Sequence, residues 1–355
     1  MGMNMYKKTV AMFLQGMMIA LLIPVCLSAS PDITTARNAF HNGDYAAAIR
    51  EFLLLGKSGN AEAQATLGEL YRGGIGVTRD YKEAVRWFRL AAAQGNAGAQ
   101  RDLAVMYQHG SGVDRDYQEA VKWYRQAAEQ GDALAQNKLG FLCGQGLGVT
   151  QDYQEALKWY RLAAAQGNAE AQGDLGIYYY FGRGVIRDDV EARKWFRLAA
   201  EQDDPESELN LGKMLSHARG GKQDLAEAAK WYRLAANHGS AEAATLLGLL
   251  YDQGRGVIQD PVQATTWFRL AADRGDAEGQ VNLGISYYFG RGAPRDLVQA
   301  FMWFGVAAAA GHAKAAEFWA SAGDKLTPVQ IAEAKRRARE WQSKQTSTVR
   351  HSSLN

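Results

Sequence analysis

The sequence is short of cysteine: it holds only Cys26 and Cys143. Cys26 falls in an N-terminal leader, so its removal leaves Cys143 alone and the mature chain without an internal disulfide. A lone thiol in an oxidising compartment is tolerated when buried. Charge of one sign is also missing. The 40 basic and 38 acidic residues leave a net charge of +2, which gives no sequence-wide basis for a nucleic-acid partner. Alternating runs rich in Val, Ile and Thr are scarce, while alanine and glycine abound, so the composition favours helices joined by tight turns. The six histidines show no metal-ligand spacing of the HExxH kind. His109 and His217 share a repeat position but lie three units apart, and they read as surface residues. No metal and no cofactor is expected.

The N-terminus has a pattern of its own. Lys7 and Lys8 precede an apolar run broken by Pro24 and ending in small residues, the pattern of a secretory signal peptide over residues 1–28. Its removal takes two lysines and no acid, bringing the net charge to zero. Two rivals stand beside cleavage. The stretch 9–27 is close to a spanning length and could remain as an inner-membrane anchor. Cys26 could carry lipid, although Val25 fits the position before a lipidated cysteine poorly. The expected location is periplasmic or secreted, with membrane contact only if the leader is uncleaved.

From residue 61 to 312 the chain repeats every 36 residues, in seven units (R1–R7) that begin at 61, 97, 133, 169, 205, 241 and 277. Leucine holds position 7 throughout, from Leu67 to Leu283; aspartate holds position 20, from Asp80 to Asp296; tryptophan holds position 27, from Trp87 to Trp303. Each unit reads as two helices. Small and apolar residues at positions 3, 7, 8 and 11 form one face of the first. Asn or Asp precedes it as an N-cap at Asn60, Asn96, Asp132, Asn168 and Asp276. The aspartate column opens the second helix as a capping box with Glu or Gln three residues on, as in Asp80/Glu83. Gly95, Gly131 and Gly167 end it. One hairpin cannot bury its own apolar face, but stacked hairpins can. The expected fold is all-α, a right-handed α-solenoid of antiparallel helix-turn-helix repeats, with the handedness taken from similar helical repeats. Residues 31–60 read as an N-terminal capping hairpin, 313–342 as C-terminal capping helices and 343–355 as a disordered tail.

The strings L-G-x-x-Y, G-x-G-V-x-x-D and A-x-x-W-[YF]-x-x-A-A-x-x-G resemble the Sel-one-like repeat family, relatives of the tetratricopeptide repeat, and the match spans 61–312. The resemblance implies a non-enzymatic, extracytoplasmic bacterial scaffold that binds a protein or peptide, in signalling, envelope assembly or host contact. A cysteine-rich branch of the family resembles β-lactamase-like proteins and carries a disulfide in each repeat. This chain has no such cysteine pairs, so that activity is not carried over. An enzyme of cell-wall or β-lactam chemistry, or a binder of glycan or peptidoglycan, remains the alternative.

No catalytic constellation stands out. The G-x-G loops follow no strand and read as tight connections rather than phosphate cradles. The tryptophans share a face with the alanines of positions 24 and 31 and read as core. Arginine at position 29, from Arg89 to Arg269, suits salt bridges between repeats. Binding information should lie where the units differ. By analogy with related repeats, the first helix lines a concave groove. This places Phe141, Ile177, Tyr180, Phe181, Leu249, Ile285, Tyr288 and Phe289 in it. Burial through tight curvature is the equal alternative. Arg183, Arg219, Arg255 and Arg291 form a basic ladder along the loop edge. The segment YYFGRG occurs at 179–184 and again at 287–292, so Tyr180/Phe181/Arg183 and Tyr288/Phe289/Arg291 are matching sets. Unit R5 is the most divergent, with Leu215 for Tyr and with Ala218 and Gly221 breaking the loop pattern.

Overall fold

The computed structural model describes residues 32–352; the proposed leader, residues 1–28, lies outside them. The described residues form eighteen α-helices and no strand, an all-α solenoid of tandem hairpins. No helix among them is long and apolar enough to cross a membrane. They fall into two compact units: residues up to 135 with 147–149, and 136–146 with everything from 150 onward.

In the first unit the N-terminal cap is the pair Ile33–His41 and Tyr45–Lys57, followed by the R1 helices Ala61–Gly73 and Tyr81–Ala93. Asn60 Oδ1 accepts from the Ala63 N–H at 2.8 Å and starts the R1 first helix, as its side chain led one to expect. The capping box, by contrast, forms only one of its two arms. Asp80 Oδ1 accepts from the N–H groups of Lys82 and Glu83 at 2.9 and 3.1 Å. The return arm is absent because the Asp80 N–H is already donated to the Tyr71 carbonyl, 2.9 Å away on the first helix. The same main-chain bond recurs from Asp116 to Tyr107 here, and in the second unit from Asp188 to Tyr179 and Asp296 to Tyr287. The glutamate left over turns to the tryptophan one turn on: Trp123 Nε1 donates to Glu119 at 3.1 Å and Trp231 Nε1 to Glu227 at 3.3 Å.

Glycine at position 8 lets the two helices of a hairpin close. A methyl group on Gly68 would stand 2.4 Å from the Phe88 ring. Glycine at position 16 seats one hairpin on the previous one: a Cβ on Gly112 would stand 2.3 Å from the Tyr81 carbonyl oxygen. The loop glycines therefore serve docking of backbone on backbone, in keeping with their positive φ.

Two polar columns tie successive hairpins together. Arginine at position 29 forms the expected inter-repeat salt bridge at Arg197, but not at Arg89 or Arg161. The latter two donate instead to the position-11 phenol of the next repeat, Arg89 to Tyr107 at 2.8 Å and, in the second unit, Arg161 to Tyr179 at 2.9 Å. Position 11 lacks the phenol at Cys143 and at Leu215. R5 has Leu215 where the phenol should be, and Arg197 turns to Glu227, 2.6 Å away. The second column is a buried amide ladder. Gln94 donates to Gln64 at 2.7 Å, while Gln64 itself donates to the Gly56 carbonyl at 2.8 Å. Gln166/Gln136 and Gln202/Gln172 repeat the rung at 2.8 Å in the second unit. In R7 the donor position is Ala310, and Gln280 Oε1 is left buried without a partner.

The second unit carries the rest of the array and the C-terminal cap, Ala315–Gly323 and Pro328–Ser352. At the start of the last helix the capping box does close both ways, Thr327 N to Gln330 Oε1 at 2.9 Å and Gln330 N to Thr327 Oγ1 at 3.3 Å. The tail expected to be disordered from 343 instead continues this helix to Ser352. No glycine or proline follows Pro328 to stop it. Trp341 packs edge-on against Trp303 at 5.6 Å, and Gln345 Nε2 donates to the Asp273 carbonyl at 2.6 Å. Divergent R5 keeps its loop. Ala218 adopts φ +56, close to the +70 of Gly74, and Gly220 at position 16 adopts +69.

Two predictions follow from strain and burial. Ala218 occupies backbone space that costs an L-residue about 1–2 kcal/mol. Ala218→Gly should therefore raise stability by about 1 kcal/mol in urea unfolding; a loss would contradict the reading. Burial pushes the Asp174 carboxyl up to about 7, with Glu170 adding to it and the Asn137 hydrogen bond opposing it. Between the ordinary carboxylate value and about 7, the folded chain holds a proton that the unfolded chain has released, so stability falls as pH rises through that window. Asp174→Asn should gain on the parent progressively between pH 4 and 8. A pH-independent difference would refute it.

Candidate functional site

The side chains expected in a groove separate by column. Position 9 is mostly taken into the packing: Ile177, Leu249 and Ile285 are half-buried against the core, whereas Phe141 is 40 % exposed. Position 13 is open, with Phe181 at 62 % and Phe289 at 55 % exposure. Exposure and curvature burial are thus both realised, in different columns.

Within the second unit, the first helices of R4 (Ala169–Phe181), R5 (Pro205–Ser216) and R6 (Ala241–Gln253) enclose a recess of about 460 Å³. Ile177, Phe196, Met214 and Leu246 give it an apolar lining; Tyr180 and Phe181 stand on the R4 side. Asn210, Lys213, His217, Arg219 and Glu242 supply its polar groups, with Lys213 paired to Glu242 at 2.7 Å. A second recess of about 510 Å³ adjoins it, sharing His217 and Leu246 and reaching Leu249, Gln253 and Arg255. Ser216 borders the second recess. It holds position 12, occupied by tyrosine in R4 and R7, and its hydroxyl turns inward to Tyr232 at 3.0 Å.

The arginines do not form a free basic ladder. Arg183 lies over the Phe181 ring at 5.3 Å and Arg291 over Phe289 at 5.4 Å. Arg255 donates to Gln253 at 3.3 Å. Arg219 donates to the Tyr180 hydroxyl and stacks on its ring, 5.0 Å from the centroid. Three of the four guanidinium groups, those of Arg183, Arg219 and Arg291, lie over an aromatic ring. The two YYFGRG sets also part company. Tyr180 and Phe181 line the recess, whereas Tyr288 is engaged by the C-terminal cap, bonded to Ser321 at 3.2 Å and lying under Lys325 at 4.5 Å. Only the first set faces open space bordered by several side chains.

Of the side chains expected in a groove, Ile177, Tyr180, Phe181 and Leu249 border these recesses; Asn210, Met214 and Leu246 border them too and were not among those expected. A signal was there for Leu246: it is the one apolar residue in position 6, where the other units have Thr, Asp, Lys or Asn. The contact of Ser216 Oγ with His217 Nδ1, 2.9 Å, is not a nucleophile–base pair. The same nitrogen lies 2.8 Å from the Lys213 carbonyl, and a nitrogen that donates there has no lone pair for the serine. Cys143 is buried, as expected. The tryptophan column is buried or half-buried, which removes it as an exposed glycan-stacking stripe.

Comparison with known proteins accords with this architecture. The Sel1 repeat matches seven times, at 61–96, 97–132, 133–168, 169–204, 205–240, 241–276 and 277–312. A crystal structure of a protective antigen of uropathogenic Escherichia coli, described as having an SLR fold, is similar at 29 % identity and a TM-score of 0.59. The match covers 91 % of this chain and 86 % of that one. A Sel1 repeat protein from Oxalobacter formigenes is similar at 36 % identity and a TM-score of 0.62, over 68 % of this chain and 99 % of that one. No curated protein matches significantly. Proteins of this repeat class generally mediate protein–protein interaction and are typically non-catalytic scaffolds. Seven contiguous matches, each coinciding with one helical hairpin of the structure, show that the chain belongs to the Sel1 repeat family.

Proposed function

We propose that the protein is a non-enzymatic scaffold of the bacterial cell envelope or of its secreted complement, and that it holds a segment of another protein across the first-helix face of R4–R6. The observation that supports this is the recess itself: an apolar lining of Ile177, Met214 and Leu246 beside the exposed Phe181 ring. An aliphatic or aromatic side chain of an extended peptide would fill the space between them, while Asn210, Lys213 and His217 would meet its polar groups. The signal-like leader supports export, and so does the similarity to a protective antigen of uropathogenic Escherichia coli.

A photo-reactive residue placed at 181 in the native organism tests the reading. It should capture a defined partner, and capture should fall at least about tenfold when Leu246→Glu places a charge in the lining. A probe at Ile258, which is 90 % exposed on a loop and does not line the recess, should capture little. Equal capture from 181 and 258, or capture at 181 indifferent to Leu246→Glu, would overturn it.

A further inference from the structure

The amide rung of R1–R4 is replaced in R5, and three positions around it change at once. R1–R4 all use Gln at positions 4 and 34, and every unit except R4 has Gly at position 35. Where R4 meets R5, position 35 is Asp203, position 4 is Glu208 and position 34 is His238. Each change replaces a residue with no affinity for metal by a metal-ligating one. The fold brings the three together: one ligand atom from each lies within 4.8 Å of the others.

The rung alone does not account for this set. Glu208, fully buried, and His238 rebuild the rung as a pair 3.0 Å apart. They have no need of Asp203. That residue sits at φ +63, in backbone space its glycine counterparts occupy freely, and its carboxylate is a second negative charge beside a buried one. A chain that keeps Asp203 there accepts strain and repulsion together, and a bound cation offsets the repulsion.

We propose that Asp203, Glu208 and His238 form a binding site for a first-row divalent cation, with Zn²⁺ the best fit among common ones. One imidazole nitrogen and one oxygen from each carboxylate make three protein ligands, with water to complete the coordination. Ligands about 2.1 Å from zinc in a tetrahedral site stand about 3.4 Å apart, so groups within 4.8 Å of one another need to close by at most about 1.4 Å. The exposed turn carrying Asp203 supplies that movement. A mixed nitrogen and oxygen set favours Zn²⁺ over Ca²⁺ and Mg²⁺, which prefer oxygen alone.

The test is calorimetric titration of the chelator-treated full chain with Zn²⁺, with Mg²⁺ and Ca²⁺ in parallel, backed by thermal unfolding. One equivalent of Zn²⁺ should bind and raise the unfolding midpoint, and the other two ions should do neither. The double variant Glu208→Gln/His238→Gln restores the amide rung of R1–R4, so it has a tested geometry in which to fold. It should lose the zinc response. Asp203→Gly restores the glycine of the other units; it should lower zinc affinity about tenfold or more without lowering the metal-free midpoint. Absence of zinc binding by the parent chain overturns the proposal. So does binding of unchanged affinity in either variant, which would place the ion elsewhere.

Discussion

The aspartate at position 20 is the residue on which the architecture turns. Its carboxylate starts the second helix of each unit, and its own N–H reaches back to the first helix. One residue therefore sets where the second helix begins and how far it lies from the first. Both bonds lie within one hairpin, so its spacing does not depend on a contact with its neighbour. Stacking then requires only that the next hairpin present the same surface. The glycine at position 8, the aromatic at position 28 and the arginine–phenol bond all presuppose that fixed spacing.

Much of this is legible in the sequence because a repeat array tests each column several times. A residue that recurs in all seven units, as Leu67 and Trp87 do, declares itself structural without any second sequence. Bonding partners were less legible. Arg89 and Asp80 are charged and near acids in the sequence, but the partners they find are a phenol and a backbone carbonyl. Both partners lie across a loop or a repeat boundary, where local spacing gives no distance. The candidate site was half legible. Phe181 and Ile177 look alike as apolar residues on one helix, yet one is open and the other half-buried. What separates them is the depth of the neighbouring hairpin, a property of three dimensions. The end of the last helix was misjudged for a related reason: composition describes a polar tail, while Trp341 and Gln345 dock it.

The departures from the pattern are as informative as the pattern. Arg197 changes partner because Leu215 has no hydroxyl, and Gln280 is left with an unanswered oxygen because Ala310 cannot donate. Each departure has a counterpart at the position that contacts it. Substitutions in such an array are best judged in contacting pairs rather than singly.

Asp203 and Ala218 are the non-glycine residues with positive φ among the described residues, and they bracket one helix, Pro205–Ser216. That helix supplies Asn210, Lys213 and Met214 to the recess. Its two end turns hold their shape against a local steric preference that the corresponding turns of the other units do not face. Local opening free energies vary within a protein, and segments held this way lie toward the lower end. The array thus places these two strained turns at either end of a helix that lines an open recess. An incoming side chain larger than the recess would meet compliance there rather than a rigid wall.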